Sequence, residues 1–287
     1  MTNLLNDKTR KIVMLAVDHG YFQGPTTGLE NPKDTIEKLI PFCDAVSPTK
    51  GIFLHCMPKE VKVPVILRAS GGNSILYSDP IELEKEVALR SLKQIETPDE
   101  IREQMQDQMT DRELSNEGIT VSAEEAKSLD VKGVSISIYV GSRYQKDSIL
   151  NLSKMSEGAR KNGLELLGIT AVGKEMKRDS RYLGLATRIA AEHGADIVKT
   201  YYCDDFQKVV NGCFVPIVIA GGKKIPEKDA LEVCYRAISD GAVGVDMGRN
   251  IFQSRYPVAM MKAVISVVHE GFKSETAFEL FNDESSD

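Results

Sequence analysis

The sequence lacks the features that would place it among membrane or secreted proteins. No run of residues reaches the ~18 apolar residues that can span a bilayer. The polar N-terminus leads into a short apolar stretch without a small-residue cleavage site. We therefore expect neither a membrane-spanning segment nor a signal peptide. Hydrophobic residues make up 42% and charged residues 27% of the 287 residues, which is typical of a folded globular chain.

The sequence also lacks a cysteine framework and an excess of positive charge. Its five cysteines form no CxxC pair and no cluster with histidine; they are Cys43, Cys56, Cys203, Cys213 and Cys234. This scatter favours reduced thiols in the cytoplasm and argues against a structural metal site. The formal net charge of −6 argues against nucleic acid as the main partner.

Eight short apolar runs alternate with helical patterns along the chain. Several runs, such as IVMLAV and PIVIAG, are continuous, as expected for strands buried on both faces of a parallel sheet. The alternation predicts a single-domain (β/α)8 TIM barrel over residues 1–287. The alternative is a doubly wound open sheet, but no glycine-rich fingerprint follows the first run. The runs are Ile12–Val17, Asp44–Ser47, Pro64–Ala69, Val134–Tyr139, Leu164–Thr170, Asp196–Thr200, Pro216–Ala220 and Ala242–Met247.

An acidic insertion, at about residues 78–114, separates the third predicted strand from the fourth. Capping residues before Pro80 and Pro98 predict helices within it. Residues 79–113 hold eleven acidic and five basic residues, so this segment carries the whole net charge. We expect a solvated helical hairpin on the active-site face. An apolar stripe of methionine and isoleucine supports the alternative of a lid or a subunit-contact arm.

Glycine-rich turns follow the seventh and eighth predicted strands. Gly221 and Gly222 follow the seventh strand, and Gly248 and Arg249 follow the eighth. Such turns expose backbone N–H groups that bind phosphate in barrel enzymes, and an arginine adds a charged fork to the same oxygens. These four residues are therefore the predicted phosphate-binding site. The alternative is that the glycines only make tight turns.

Lys199 ends the sixth predicted strand, which is otherwise apolar. A lysine at this position points into the barrel mouth or must be paired. A desolvated lysine can attack a carbonyl as a free amine and form an iminium, which is an electron sink for the adjacent carbon–carbon bond. The alternative is a salt-bridged lysine, for example with Asp18. The neighbouring phosphate site favours a Schiff base with a sugar phosphate.

Three further candidates stand at the same end of the predicted strands. Asp18 and His19 are candidate proton shuttles, and Tyr139 can donate a hydrogen bond or carry a proton. The alternatives are a packing histidine and an aromatic ring that closes the barrel top. Cys203 is a weaker candidate thiol, because nothing in the nearby sequence activates it. The remaining histidines have no partners at metal-ligand spacing, so we predict no metal site.

Several stretches between Lys11 and about Leu280 resemble the class I aldolase family that includes deoxyribose-phosphate-type and archaeal fructose-bisphosphate aldolases. Within the family they are most similar to the autoinducer-2 aldolase-like group. The stretches are VMLAVDHGYFQGPTTGLE, VILRASGGNSIL, ATRIAAEHGADIVKTYY, PIVIAGGKK and GVDMGRNIFQSRYPVAMMKAV. The resemblance implies a Schiff-base lysine at Lys199, acid–base or positioning roles for Asp18 and His19, and phosphate binding by the two glycine turns.

The resemblance also implies a reaction. A phosphorylated hydroxydiketone would be cleaved and its acetyl group passed to coenzyme A, a co-substrate, giving dihydroxyacetone phosphate and acetyl-CoA without a bound cofactor. Family members form ring-shaped homo-oligomers, often decamers. Arg143, Lys146 and Lys174 are candidate ligands of the coenzyme A phosphates, because they follow strands four and five.

Two alternatives to this reaction stay open at the level of sequence. A class I aldolase acting on a ketose phosphate, such as fructose 1,6-bisphosphate, would share Lys199 and the phosphate site. Such hexose aldolases tend to place two aromatics on strand four, where this chain has Ser137 and Tyr139. A non-catalytic barrel that binds phosphorylated ligands is the third hypothesis.

Overall fold

The computed structural model describes residues 4–75, 114–171 and 178–285, and ten strands lie within them. The strands are β1 (Ile12–Ala16), β2 (Ala45–Ser47), β3 (Ile66–Arg68), β4 (Ser70–Gly72), β5 (Glu117–Ile119), β6 (Gly133–Ile138), β7 (Glu165–Thr170), β8 (Ile197–Thr200), β9 (Ile217–Ala220) and β10 (Gly244–Met247). Each of the eight predicted apolar runs overlaps one strand.

Eight of the strands form a single parallel sheet in the order β2-β1-β10-β9-β8-β7-β6-β3. Parallel bridges from Val46 to Val65 and from Thr49 to Arg68 join the two end strands, which brings the sheet around into a barrel. This topology confirms the predicted (β/α)8 fold. It also places the carboxyl ends of all eight strands at one mouth, where barrel enzymes hold their active sites.

Alternation along each strand sorts side chains between the barrel interior and the outer helices. An apolar cluster of strand residues fills the interior, with Leu4 and Leu5 added from the N-terminal segment. Its other buried members are Ile12, Met14, Ala45, Ile66, Leu167, Ile197 and Val218. Their neighbours, such as Val13 and Val198, belong to the larger cluster between strands and helices. Because side chains alternate with period two, residues two positions beyond an interior residue also face inward.

Eleven α-helices connect the strands within the described residues. They are α1 (Gly20–Gln23), α2 (Pro32–Leu39), α3 (Lys50–Cys56), α4 (Ala123–Ser128), α5 (Gln145–Asn162), α6 (Ser180–Glu192), α7 (Phe206–Gly212), α8 (Glu227–Ser239), α9 (Arg249–Phe252), α10 (Pro257–Ile265) and α11 (Ser274–Glu284). A 3-10 turn, Ile40–Phe42, follows α2, and a π-helical turn, Ser266–Glu270, extends α10. None of the helices in the described ranges has both the length and the apolar character needed to cross a membrane.

Local sequence explains where several helices begin. Thr49, Ser122 and Asp179 accept a backbone N–H from the first turns of α3, α4 and α6. Proline opens α2 and α10 at Pro32 and Pro257, where its missing N–H costs nothing.

A two-stranded antiparallel ribbon of β4 and β5 stands beside the barrel, directly after β3. The ribbon was not predicted. The predicted acidic insertion at about residues 78–114 lies outside the described residues, apart from Leu114. That residues 1–287 form one domain stays a prediction.

Candidate active site

Lys199 points into the barrel and contacts an aspartate that the sequence analysis did not single out. Lys199 faces inward because it lies two residues after the interior residue Ile197. Its Nζ atom donates a hydrogen bond to Oδ2 of Asp246 at 2.8 Å. Side-chain exposure is 11% for Lys199 and 1% for Asp246, so the ion pair is largely shielded from solvent. The predicted alternative partner of this lysine was Asp18, whereas the direct contact is with Asp246.

Asp246 is suited to hold a proton. Burial raises the pKa of its carboxyl group, and the charge of Lys199 offsets this only in part. Its second oxygen, Oδ1, is buried and has no hydrogen-bond partner among the described residues. A lysine must lose a proton before it attacks a carbonyl, and Asp246 lies where that proton can go. The sequence signal that could have identified Asp246 is a single acidic residue at an inward-facing position of an otherwise apolar strand.

Asp18 is an ionised carboxylate at the end of β1. Burial alone would raise its pKa, but neighbouring positive charges, that of Arg68 above all, outweigh burial and hold the pKa below the ordinary value. Arg68 donates from its terminal nitrogen to Oδ2 of Asp18 at 3.1 Å. The negative charge of Asp18 thus lies close enough to Lys199 to favour a cation there.

His19 is a neutral imidazole at neutral pH. Burial lowers its pKa to about 4, and the charge of Asp18 opposes that shift only in part. Its Nδ1 atom lies 3.8 Å from Oδ1 of Asp18 and has no hydrogen-bond partner within the described part of the chain. The ring meets Phe252 edge-on with 5.7 Å between centroids. A neutral imidazole with an unused nitrogen can accept or pass on a proton.

Tyr139 belongs to a buried polar cluster centred on Glu117 of the ribbon. Its hydroxyl donates to Oε1 of Glu117 at 2.5 Å, and the hydroxyl of Tyr21 donates to the same oxygen. Arg68 donates to both carboxylate oxygens of Glu117 at 2.9 Å. Ser70 donates to Oε2 at 2.6 Å. The Glu117 carboxylate therefore accepts a hydrogen bond from each of these four side chains.

Arg68 and Glu117 were both missed by the sequence analysis. Arg68 follows the inward residue Ile66 by two positions, so alternation along β3 could have found it. Glu117 lies on a ribbon strand whose pairing with β4 is not visible in local sequence. Burial without a partner would be costly for either charge, and their pairing offsets part of that cost.

The two predicted glycine turns lie side by side, because Asn250 links them. Its side chain donates to the carbonyl oxygens of Gly221 at 2.6 Å and Lys223 at 3.1 Å, and accepts the N–H of Ile225 at 2.9 Å. Asn250 is fully buried, so it is a structural brace of the turn after β9. Gly222 has a φ of 71°, which only glycine adopts easily.

Close packing explains the glycine after β10. A Cβ atom on Gly248 would lie 2.5 Å from the carbonyl oxygen of Ala16 and 2.5 Å from Cε1 of His19. Glycine at this position therefore lets the end of β10 approach the end of β1. The turn and His19 come together for this reason.

Arg249 stands beside the turns with an unused donor. Its Nε atom is buried and has no hydrogen-bond partner in the described ranges. Burial lowers the pKa of its guanidinium, and the nearby positive charge of Arg178 adds to this shift. Arg178 itself stacks over the ring of Tyr201 at 3.8 Å. The guanidinium groups of Arg249 and Arg178 are therefore two neighbouring positive charges, and the Nε–H of Arg249 has no partner among the described residues. This arrangement favours binding of an anionic ligand.

Other predicted candidates are less well placed or lie outside the described residues. Burial raises the pKa of Cys203 to about 11, and neighbouring acids add to this, so its thiol is not activated. Lys174 lies outside the described residues. Among the residues that the structure describes, no three His, Cys, Asp or Glu side chains are grouped to hold a metal ion.

Comparison with known proteins identifies the family. The family of DeoC/LacD aldolases matches residues 12–254. The chain is 48% identical to the 3-hydroxy-5-phosphonooxypentane-2,4-dione thiolase of Photorhabdus laumondii, over 98% of this chain and 85% of that protein. It is 46% identical to the protein of the same name from Salmonella typhimurium, over 100% of this chain and 87% of that one.

Solved structures agree with the sequence comparison. A crystal structure of an archaeal fructose 1,6-bisphosphate aldolase superposes with a TM-score of 0.73 and 26% identity, covering 93% of this chain and 97% of that one. Another archaeal fructose-1,6-bisphosphate aldolase structure, with a TM-score of 0.73 and 26% identity over 92% and 96% of the two chains, has its catalytic lysine covalently bound to the carbinolamine intermediate of the substrate. The resemblance found in the sequence is confirmed: the chain belongs to the DeoC/LacD aldolase family and is an enzyme.

Proposed function

We propose that the enzyme is a Schiff-base-forming thiolase. It cleaves 3-hydroxy-5-phosphonooxypentane-2,4-dione and transfers the acetyl group to coenzyme A, giving dihydroxyacetone phosphate and acetyl-CoA in the breakdown of autoinducer-2 phosphate. The observation that carries the proposal is the buried pair of Lys199 and Asp246 at the barrel mouth. Relatives 46–48% identical over nearly the whole chain carry the thiolase name, which supports the choice of substrate.

The first step forms the Schiff base. Asp246 takes the proton of Lys199, and the free amine attacks C4 of the substrate, the ketone next to the phosphate-bearing carbon. Loss of water from the carbinolamine leaves an iminium. The ionised Asp18 stabilises this cation, since its charge acts directly on Lys199.

Substrate phosphate is held by the two glycine turns. Gly221, Gly222 and Gly248 contribute backbone N–H groups, and Arg249 contributes its unused Nε–H. Asn250 supports the arrangement by fixing one turn against the other. Holding the phosphate places the adjacent ketone toward the lysine.

Cleavage follows attack by coenzyme A. The neutral His19 accepts the thiol proton, and the thiolate adds to the C2 carbonyl. The C2–C3 bond then breaks and acetyl-CoA departs. The electron pair of the broken bond stays with C3 and forms an enamine with the iminium carbon. The proton returns to C3, and water hydrolyses the iminium to release dihydroxyacetone phosphate. The water lost on forming the iminium balances the water used here.

A class I aldolase that cleaves a ketose phosphate, such as fructose 1,6-bisphosphate, is the second candidate. The match to archaeal fructose 1,6-bisphosphate aldolase, at 26% identity, favours it. Both reactions use Lys199 and the phosphate site. They differ in the acceptor. The thiolase transfers an acetyl group to coenzyme A, whereas the aldolase releases its carbonyl fragment directly and only a proton is added to the enamine that remains.

Coenzyme A dependence distinguishes the two candidates. Purified enzyme is mixed with the diketone phosphate, with and without coenzyme A, and both products are quantified. We expect acetyl-CoA and dihydroxyacetone phosphate in equal amounts, only when coenzyme A is present, and neither from Lys199→Ala. Cleavage without coenzyme A, or comparable turnover of fructose 1,6-bisphosphate, would favour the aldolase instead.

The proposal extends to the co-substrate, compartment and oligomeric state of the enzyme. The enzyme uses coenzyme A as a co-substrate, needs no bound cofactor or metal, and works in the cytoplasm without nucleic acid or membrane partners. It assembles as a homo-oligomer, with a decameric ring as the expected form. Large apolar side chains exposed near α6 and α7 support assembly, since Leu185 is 54% and Phe214 61% exposed.

A further inference from the structure

The hydroxyl group of Tyr139 donates its hydrogen to Glu117 and receives no hydrogen bond from a residue that the structure describes. The single hydroxyl hydrogen goes to Oε1 of Glu117 at 2.5 Å. No residue in the described ranges donates a hydrogen bond to the Tyr139 oxygen. Tyr21 differs, because its oxygen receives a hydrogen bond from Arg68 at 2.6 Å. Of the two tyrosine hydroxyls that donate to Glu117, the Tyr21 oxygen receives a hydrogen bond from Arg68, whereas the Tyr139 oxygen receives none from a described residue.

Glu117 cannot reverse the direction of this hydrogen bond. Arg68 donates to both carboxylate oxygens of Glu117, and Ser70 also donates to Oε2. Arg68 in turn is fixed by the carbonyl oxygen of Ser70 at 2.9 Å and by Ser137 at 2.7 Å. The carboxylate is therefore an acceptor only, and Tyr139 must be its donor.

The side chain of Tyr139 faces the barrel interior near the mouth. Ser137 pairs in register with Ile169, and Ile169 pairs with Lys199, so Ser137 and Lys199 lie in one layer of the barrel. Tyr139 follows Ser137 by two residues and so faces the same side, one step nearer the mouth. Tyr139 as a whole residue is 7% exposed, so few waters can compete for the oxygen.

We propose that Tyr139 meets the substrate as a hydrogen-bond acceptor, and that Glu117 is the positioning residue that enforces this. The site therefore selects ketone phosphates that carry a hydroxyl group beside the carbonyl attacked by Lys199. This inference rests on the proposed function, whose substrate and product both have such a hydroxyl on C3. It assigns recognition of that hydroxyl to one oxygen atom.

Two small ketone phosphates test the proposal directly. Dihydroxyacetone phosphate carries the hydroxyl, and acetol phosphate has a methyl group in place of the hydroxymethyl group. Each is titrated against the enzyme with borohydride, and the trapped adduct is measured by intact-mass spectrometry. We expect dihydroxyacetone phosphate to reach half-maximal trapping at a concentration about fivefold lower than acetol phosphate does. This ratio corresponds to the free energy of about one neutral hydrogen bond.

Variants show which atom causes the preference. Tyr139→Phe removes the acceptor and should make the two ketones equivalent. Glu117→Gln can donate its amide N–H to the Tyr139 oxygen, so it should reduce the ratio. Tyr21→Phe is the matched control, because it removes the other hydroxyl from Glu117 and should keep the ratio. A merely structural role would change trapping of both ketones together and leave the ratio unaltered.

The outcomes separate this inference from the proposed function. Equal trapping of both ketones by the wild-type enzyme would overturn the inference and leave Schiff-base chemistry intact. A preference retained in Tyr139→Phe would also overturn it. No adduct with either ketone on folded wild-type protein would instead overturn the proposed function. Circular dichroism checks that each variant is folded, and Tyr139→Phe decides the question if Glu117→Gln does not fold.

Discussion

At the scale of single residues, Asp246 links the resting structure to the proposed chemistry. Its carboxylate contacts the Lys199 amine at 2.8 Å, and burial raises its pKa. Both facts make it the acceptor of the proton that the amine must lose. A general base positioned in this way typically contributes about a hundredfold or more to the rate.

Replacing Asp246 by asparagine tests this role. We expect Asp246→Asn to lower kcat by at least about a hundredfold, because an amide keeps the shape but cannot accept the proton. Steady-state kinetics with the diketone phosphate measures the effect. Inorganic phosphate binding, followed by calorimetry, should match the wild-type protein and serves as the control. A kcat within twofold of the wild-type value would show that Asp246 is only a structural partner.

His19 gives a pH-dependent prediction about stability. Its folded pKa is about 4, against 6.5 in the unfolded chain, so the unfolded state binds the proton more readily between these values. Stability is therefore lost as pH falls from 6.5 to 4, by up to about 3 kcal/mol relative to a His19→Gln variant. The lowered pKa of Asp18 reduces stability only at pH values below this window. The raised pKa of Asp246 increases stability as the pH falls, but it does so in both proteins and therefore cancels in the comparison.

Urea unfolding at several pH values measures this difference. The unfolding free energy of the wild-type protein minus that of His19→Gln should decrease by up to about 3 kcal/mol as the pH falls from 7 to 4. Parallel curves for the two proteins from pH 7 to pH 4 would be inconsistent with a buried neutral His19.

At the scale of secondary-structure elements, the turn after β10 depends on one missing side chain. Alanine at Gly248 would place Cβ 2.5 Å from the backbone oxygen of Ala16, which cannot move without disturbing β1. We expect Gly248→Ala to lower the unfolding free energy by about 1–3 kcal/mol. It should also weaken binding of inorganic phosphate, because the turn shifts.

Gly184 in α6 offers the matched comparison. A Cβ atom there meets no heavy atom within 4 Å, and the position is helical. Gly184→Ala should therefore raise the unfolding free energy by about 0.5–1 kcal/mol. Denaturant titrations measure both variants. Similar changes for the two would mean that the close approach at Gly248 is not what constrains the turn.

Element positions could largely be predicted from sequence, whereas partners between elements could not. Continuous apolar runs such as Ile217–Ala220 and prolines such as Pro257 mark strands and helix starts locally. The β4–β5 ribbon was missed because Ser70, Gly71 and Gly72 have the composition of a turn. Its strand character comes from pairing with Glu117–Ile119, far along the chain.

At the scale of the whole molecule, the barrel brings together charges that are distant in sequence. Lys199 was predicted to be at the mouth, but its contact with Asp246 depends on how strands curve around the barrel. Arg68 and Glu117 likewise meet only because the ribbon folds back over β3. Each of these groups is buried or largely shielded from solvent, so its energy depends on a nonlocal partner that no local pattern reveals.

The proposed reaction depends on covalent chemistry at one lysine. Wild-type enzyme and Lys199→Ala are treated with dihydroxyacetone phosphate and borohydride, and their intact masses and peptide maps are compared. We predict one reduced adduct on the wild-type protein, located in the peptide that contains Lys199, and none on the variant. An adduct that persists in Lys199→Ala, or no adduct on a folded wild-type protein, would contradict it.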